Sequence, residues 1–320
     1  MAKTKVEFVC RECGASHHQW AGQCLDCKEW NTLEEIVISQ ATSSKPESLK
    51  DLPASKVQNL TEIKAQNKDR LSTGLSELDR TLGGGLVDGS VVLIGGDPGI
   101  GKSTLILQAL AKLNSDNTTL YVSGEESAEQ VSERAIRLGI KEDILFIGET
   151  HLEKIIKLSK DIKPKVIVID SIQTMVTDLS ASAPGSVTQV RDCAAQLTQF
   201  AKQTNTILLM IGHVTKGGAL AGPRILEHMV DAVLYFEGDA GGRYRIIRAV
   251  KNRFGAVNEI SVFAMGEKGL QQVSNPSSIF LSNQENPSSG SMVMVTREAT
   301  RPLLVEIQAL VDQSNGTPKR

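Results

Sequence analysis

Residues 91–113 read VVLIGGDPGIGKSTLILQALAKL: four apolar residues, a glycine-rich turn, then an apolar-periodic segment of helix formers. The pattern G-x-x-x-x-G-K-[ST] is met by Gly96, Gly101, Lys102 and Ser103, and a strand before it and a helix after it are the context that makes such a pattern a phosphate-binding loop. Glycines let backbone N–H groups converge on phosphate oxygens, and the helix N-terminus adds partial positive charge. The predicted nucleotide-binding stretch is Gly96, Asp97, Pro98, Gly99, Ile100, Gly101, Lys102, Ser103 and Thr104. Lys102 is expected to reach the β- and γ-phosphates, and Ser103 to ligate Mg²⁺.

A loop of this kind needs a parallel sheet around it, and the chain supplies the pattern for one. Apolar runs at about 91–95, 119–123, 144–148, 166–170 and 206–212 alternate with helical patterns near 103–113, 128–138, 151–161 and 187–203. Strands separated by helices predict βαβ units and a mainly parallel sheet. After about residue 229 the texture changes to DAVLYFEG, RYRIIRAV and NEISVFAM. These short strands with Gly-bearing turns predict an antiparallel extension that closes the sheet.

Cysteine usage marks out a second unit. Four of the five cysteines lie in the first 27 residues, as Cys10-x-x-Cys13 and Cys24-x-x-Cys27. Two such pairs separated by ten residues predict a closed tetrahedral, structural Zn²⁺ site. Gly14 and Lys28 follow the pairs at positions where a knuckle turn needs freedom, and His17 and His18 are spare ligands at best. Cys193, on the apolar stripe of VRDCAAQLTQF, reads as core packing. The expected organisation is a C4 zinc module over 1–37, a polar linker over 38–69, the ATPase-type domain over 70–272, and a further segment over 273–320. The last segment, containing MVMVTREATRPLLVEIQALVD, either packs on the main domain or opens another one.

Net charge is −2 over 320 residues, so no basic footprint covers the whole surface, although a local basic groove is compatible with that balance. No apolar stretch reaches the ~20 residues needed to cross a bilayer, and MAKTKVEFVCREC lacks the apolar region of a signal peptide. The chain is therefore expected in the cytoplasm, without a membrane partner.

Phosphoanhydride cleavage also needs a carboxylate in the Mg²⁺ shell and a group that orients water. VIVID ends in Asp170 at the edge of a buried-strand run, the position for the first role; taken alone, the same residue is equally a helix cap. TLYVS runs into GEES, where Ser127 and Gln130 predict a capping box. Glu125 and Glu126 lie just before it, as a charged cap region or as the source of the water-polarising base. His213, which ends the strand TILLMIGHV, is either a structural histidine or a γ-phosphate sensor.

RLSTGLSELDRTLGGGLVDGSVVLIGGDPGIGKST (70–104) resembles the opening of a RecA-type ATPase core. The cysteine module with WAGQC, together with KNRFG (251–255), narrows the resemblance to the bacterial RadA (Sms) family over nearly the whole chain. In that family a zinc motif, a RecA-like ATPase and a Lon-protease-like domain follow in order. RPLLVEIQALVD resembles the start of the third, so the chain is expected to hold only its beginning. The resemblance implies an ATP-driven, DNA-dependent branch-migration and helicase motor of recombinational repair, working as a homo-oligomeric ring (hexamer) on single-stranded and branched DNA. Recombinase or replicative helicase proteins are possible partners. The family register assigns the base to Glu125, and it assigns Lys251 and Arg253 to a neighbour's nucleotide, where a cation supplied in trans accelerates phosphoryl transfer. Without the resemblance, KNRFG reads as a solvated basic hairpin, in which Gly255 permits a sharp turn.

In RecA-like rings the segments 177–192 and 215–231 face a central channel, so Lys216 and Arg224 are the expected DNA-phosphate contacts. Neither segment carries an aromatic residue for base stacking, which predicts sequence-neutral, salt-sensitive binding. Two other readings stay open: a RecA-fold switch or kinase acting on a protein partner, and a binding module with an inert nucleotide site. Intact Lys102, Ser103, Glu125 and Asp170 oppose the latter, and the lack of an N-K-x-D motif opposes a GTPase.

Overall fold

The computed structural model describes residues 5–10, 15–26, 28–38, 70–114, 116–180, 182–213, 224–238, 242–281 and 289–309. The 38–69 linker expected from the sequence lies almost wholly outside this set. Among the described residues no helix is long and apolar enough to cross a membrane.

Among the described residues three units of strand pairing are present. The first is a small antiparallel sheet of β1 (Lys5–Cys10), β2 (Ser16–His17) and β3 (Leu33–Ile38), ordered β2-β1-β3. The second is a nine-stranded sheet. Its parallel part holds β4 (Val91–Gly96), β5 (Thr119–Ser123), β6 (Leu145–Gly148), β7 (Val166–Asp170), β8 (Ile207–His213) and β9 (Ala232–Glu237), in the order β9-β4-β8-β7-β5-β6. β10 (Tyr244–Asn252), β11 (Ile260–Gly266) and β12 (Gly269–Gln272) extend it antiparallel from β9. The third unit is a hairpin of β13 (Ser291–Glu298) and β14 (Arg301–Gln308).

The core follows from the strand period of two. On β4, Val92 and Ile94 face one layer while Val91 and Leu93 face the other; β7 and β8 split in the same way. Helices α1 (Ser76–Thr81), α2 (Lys102–Leu113) and α3 (Ala128–Arg137) cover the first face. α4 (Leu152–Ile162), α5 (Val187–Thr204) and α6 (Arg224–Met229) cover the second. Strands buried on both faces read as continuous apolar runs, which is why VVLI, VIVID and ILLMI stood out in the sequence. Cys193 is fully buried between α5 and the sheet, and burial pushes its thiol up to about 12, as a packing residue requires.

Among the described residues the hairpin pairs with no strand of the large sheet, yet it is fastened to it. Arg301 donates to Glu77 at 2.6 Å with both side chains buried, and Arg248 of β10 bridges Glu237 and Glu298. Most of β13 remains exposed, including Met292, Val293 and Val295. α1 and α6 were not expected from the sequence. α6 replaces the second half of the loop predicted over 215–231, because Leu226 and Val230 bury into the second core face.

Candidate active site

The carboxyl ends of β4, β5, β7 and β8 lie side by side, with Ser123 in register with Asp170 and Gly96 with His213. In an open α/β sheet this is the edge where ligands bind. A cleft of about 340 Å³ opens there, lined among others by Gly99, Lys102, Ser103, Glu125, Asp170 and His213. Residues scattered over more than a hundred positions of sequence are thus brought together by four strand ends.

The phosphate loop closes onto α2 through Gly101, whose φ of 111° is left-handed and unsuited to a side chain. α2 has no side-chain N-cap, so its first N–H groups are left to the loop side, where an anion would complete them. Lys102, only 4% exposed, donates through its ammonium to the carbonyls of Gly96 (2.7 Å) and Asp97 (2.8 Å). Burial is the largest influence on it and brings its pKa down to about 8, against the opposing pull of Asp170, Asp97 and Glu125. A cation held so far from water is suited to a polyanion, whose charge would restore its ordinary basicity.

The carboxylates separate by partner. Glu126 forms a two-bond pair with Arg134 of α3, with one contact at 2.6 Å, and its backbone N–H donates to Ser123 Oγ. Glu125 accepts from Ser171 Oγ and lies 3.4 Å from His213 Nε2. Of the two glutamates left open by sequence, Glu126 is committed to α3 and Glu125 stands beside the ends of β7 and β8. His213 Nδ1 is buried without a hydrogen-bond partner among the described residues. The capping box is present as expected: Ser127 accepts from the Gln130 N–H while Gln130 accepts from the Ser127 N–H. Asp170 is 7% exposed and accepts, on Oδ2, the Tyr121 hydroxyl of β5. Tyr121 was not singled out in the sequence, where it looks like one more strand aromatic.

The donor set fits Mg²⁺ and a nucleotide: buried Lys102, the hydroxyl of Ser103 and the Asp170 carboxylate share one cleft. It also fits zinc at the other end of the chain. Cys10 and Cys24 are buried together with Leu33, their N–H groups donate to Ala15 O and Glu29 O, and Lys28 takes φ 61°. The last feature is the knuckle freedom expected at that position. Cys13 and Cys27 lie outside the described residues. His17 Nε2 lies 3.5 Å from Cys24 Sγ and 3.6 Å from Asp26.

Lys251 and Arg253 stand apart from this cleft. Lys251 lies within β10, and its Nζ donates to Glu227 O; burial, then the Arg253 charge, lowers its pKa. Arg253, 58% exposed, contacts Asp231 at 3.3 Å. Asn252 is in register with Ala232, and Ala232 with Val92, four residues before Gly96. Lys251, in register with Val233 and through it with Leu93, therefore sits ~10 Å along the sheet from Gly96, and the rest of the pentad ~13 Å or more, at 3.3 Å per residue. The chain bends at Gly255 as expected. Its φ is not left-handed, and glycine serves close approach instead: an added Cβ would lie 2.6 Å from Gly83 Cα. Asn252 Nδ2 donates to Thr81 O and Arg70 to Phe254 O, which pins the pentad to the Gly83 turn. Of the expected DNA contacts, Lys216 and the side chain of Arg224 lie outside the described residues.

Sheet order, phosphate loop and strand-end carboxylates define a RecA-like P-loop ATPase, and the AAA domain family matches residues 58–219. The rubredoxin metal binding domain family matches residues 8–35, which span all four paired cysteines. The chain belongs to the DNA repair protein RadA family. It is 56% identical to the DNA repair protein RadA of Pseudomonas aeruginosa over 322 residues, 53% to that of Escherichia coli over 328, and 48% to that of Bacillus subtilis over 325. Each match takes in 100% of this chain and 71% of the relative.

Proposed function

We propose that the chain is a DNA-dependent ATPase of recombinational repair, an ATP-driven branch-migration and helicase motor assembled as a hexameric ring. Its domains follow the expected division: zinc module over 1–37, linker over 38–69, ATPase domain over 70–272, and the opening of a Lon-protease-like region from 273. ATP sits on residues 96–104, with Lys102 on the β- and γ-phosphates. Ser103 and Asp170 would hold Mg²⁺, which would supply positive charge to the phosphate oxygens. Glu125 takes a proton from the attacking water, and Ser171 orients that carboxylate. His213, beside Glu125, reports the presence of the γ-phosphate to the segment that follows it. Cys10, Cys13, Cys24 and Cys27 hold a structural zinc.

The carrying observation is the separation of KNRFG from its own phosphate loop. Lys251 and Arg253 lie too far along the sheet to serve the nucleotide of the same copy, and Arg253, 58% exposed, is placed to face another. Hydrolysis then takes place at a seam between copies, which ties cleavage to relative movement of neighbours. DNA passes through the channel against Lys216 and Arg224, held by phosphate contacts. Recombinase or replicative helicase proteins act with it, and the setting is cytoplasmic.

ATP turnover with and without single-stranded and branched DNA, across a salt series, tests the reading. DNA should raise turnover, and the stimulation should fall steeply as salt rises. Turnover indifferent to both DNAs would move the chain to the competing reading, an ATPase acting on a protein partner.

A further inference from the structure

Asp170 has two oxygens, and the fold treats them differently. Oδ2 accepts the Tyr121 hydroxyl, whereas no hydrogen bond to Oδ1 is made among the described residues. Tyr121 is 1% exposed, and its ring stacks on Phe146 of the neighbouring β6 with centroids 6.3 Å apart and planes 17° from parallel. Tyr121 is in register with Val168, two residues before Asp170, so the ring lies on the same sheet face as the carboxylate. A core aromatic could fill this space as phenylalanine. The hydroxyl adds a single directed donor at the back of the carboxylate, opposite no other described acceptor.

We infer that Tyr121 is a positioning residue for divalent-cation binding: by occupying Asp170 Oδ2 it fixes the carboxylate and reserves Oδ1 for the metal's shell. The inference rests on the proposed placement of Mg²⁺ at Asp170. A charge-assisted hydrogen bond to a buried carboxylate is among the stronger ones, and without it the group regains rotational freedom. Cation affinity falls as a result, while contacts between the phosphate loop and the nucleotide are untouched.

The test is Mn²⁺ titration of the ADP complex by electron paramagnetic resonance, using Tyr121→Phe, Asp170→Asn and the unaltered chain. Tyr121→Phe should weaken Mn²⁺ about 3–10-fold, while ADP affinity in EDTA stays within twofold and kcat at saturating Mg²⁺ within threefold. Unchanged Mn²⁺ affinity, or an equal loss of metal-free ADP binding, would overturn the inference and leave Tyr121 a packing residue. Asp170→Asn separates the two levels, because retained Mn²⁺ affinity in that variant removes the metal placement itself. Should Tyr121→Phe not accumulate folded, 3-fluorotyrosine incorporated at position 121 carries the same question. Its ¹⁹F resonance should move when Mg²⁺ is added to the ADP complex and stay still in the Asp170→Asn background. No movement in the unaltered chain would sink the inference.

Discussion

The two edges of the parallel sheet are built on opposite electrostatic plans. At the carboxyl edge a cation is buried among carboxylates: Lys102 faces Asp170, Asp97 and Glu125, and burial still dominates its protonation. At the amino edge a carboxylate is buried among cations. Asp231, 3% exposed, accepts from the Val91 N–H at 3.0 Å, from Lys202 and from Arg253. Val91 begins the strand that ends in the phosphate loop, so the two plans are joined by six residues of β4. The first edge is arranged to receive an anion, and the second gathers partly exposed Lys202 and Arg253 around one buried carboxylate.

That contrast breaks most easily in a mixing experiment. Lys102→Ala and Lys251→Ala, each alone, should lower ATP turnover by about 10²–10³-fold, since each removes a positive charge from the phosphates in the transition state. In an equimolar mixture, contacts that pair an intact phosphate loop with an intact KNRFG edge form again, and activity should rise well above either variant. A mixture no better than its parts would mean that the amino edge has no role at a neighbour's nucleotide.

The carboxyl edge has its own signature in stability. Lys102 is depressed in the folded chain to about 8 from an ordinary 10.5. Below pH 8 the folded state carries the full penalty of a buried charge. Between pH 8 and 10.5 the unfolded chain binds the extra proton, so stability rises with pH, by up to about 3 kcal/mol. Lys102→Met should abolish that slope and raise the nucleotide-free melting temperature at pH 7, at the cost of hydrolysis. Denaturant midpoints from pH 7 to 10.5 check this, and parallel curves for the two proteins would show that Lys102 is not strained. Gain of stability with loss of activity is the expected trade at a functional site.

The amino edge predicts the reverse sign. Asp231→Ala leaves the Val91 N–H without its buried acceptor and should cost about 2 kcal/mol. Chemical denaturation measures it, and a loss below about 0.5 kcal/mol would show that solvent replaces the carboxylate freely.

Legibility from sequence differs between these edges for a physical reason. The carboxyl edge is written in short range: a strand run, a glycine loop and a lysine at fixed spacing, with carboxylates at the ends of apolar runs. Nine of the strand and helix spans expected between residues 91 and 213 appear within a residue or two of their predicted positions. The residues alone left Glu125 and Glu126 open, and only the resemblance favoured Glu125, because the pairing of Glu126 with Arg134 comes from the next helix. Tyr121 was missed because its hydroxyl is satisfied by a residue 49 positions away. The amino edge is written almost wholly in such long-range contacts: Asp231 with Val91, Asn252 with Thr81, Arg70 with Phe254. Resemblance pointed to KNRFG there, while the local pattern offered a solvated hairpin.

The smallest expected effect concerns the hairpin that carries KNRFG. Gly83 and Gly255 face each other so closely that a Cβ on either would lie 2.8 or 2.6 Å from the other's Cα. Both contacts are with backbone, so neither can be relieved by turning a side chain. Gly255→Ala must separate the pentad from the turn after α1, straining the Asn252–Thr81 and Arg70–Phe254 bonds that register it. The cost should be about 1–2 kcal/mol, on the scale of overpacking. The larger consequence is directional: Lys251 and Arg253 shift together while the phosphate loop does not. Turnover should fall more than nucleotide affinity, and a mixture with Lys102→Ala should recover to at least the level of the mixture made with Lys251→Ala, because the same intact loop and edge meet at the mixed contact. Equal loss of affinity and turnover would place the glycine pair in the general packing of the domain rather than in the register of its amino edge.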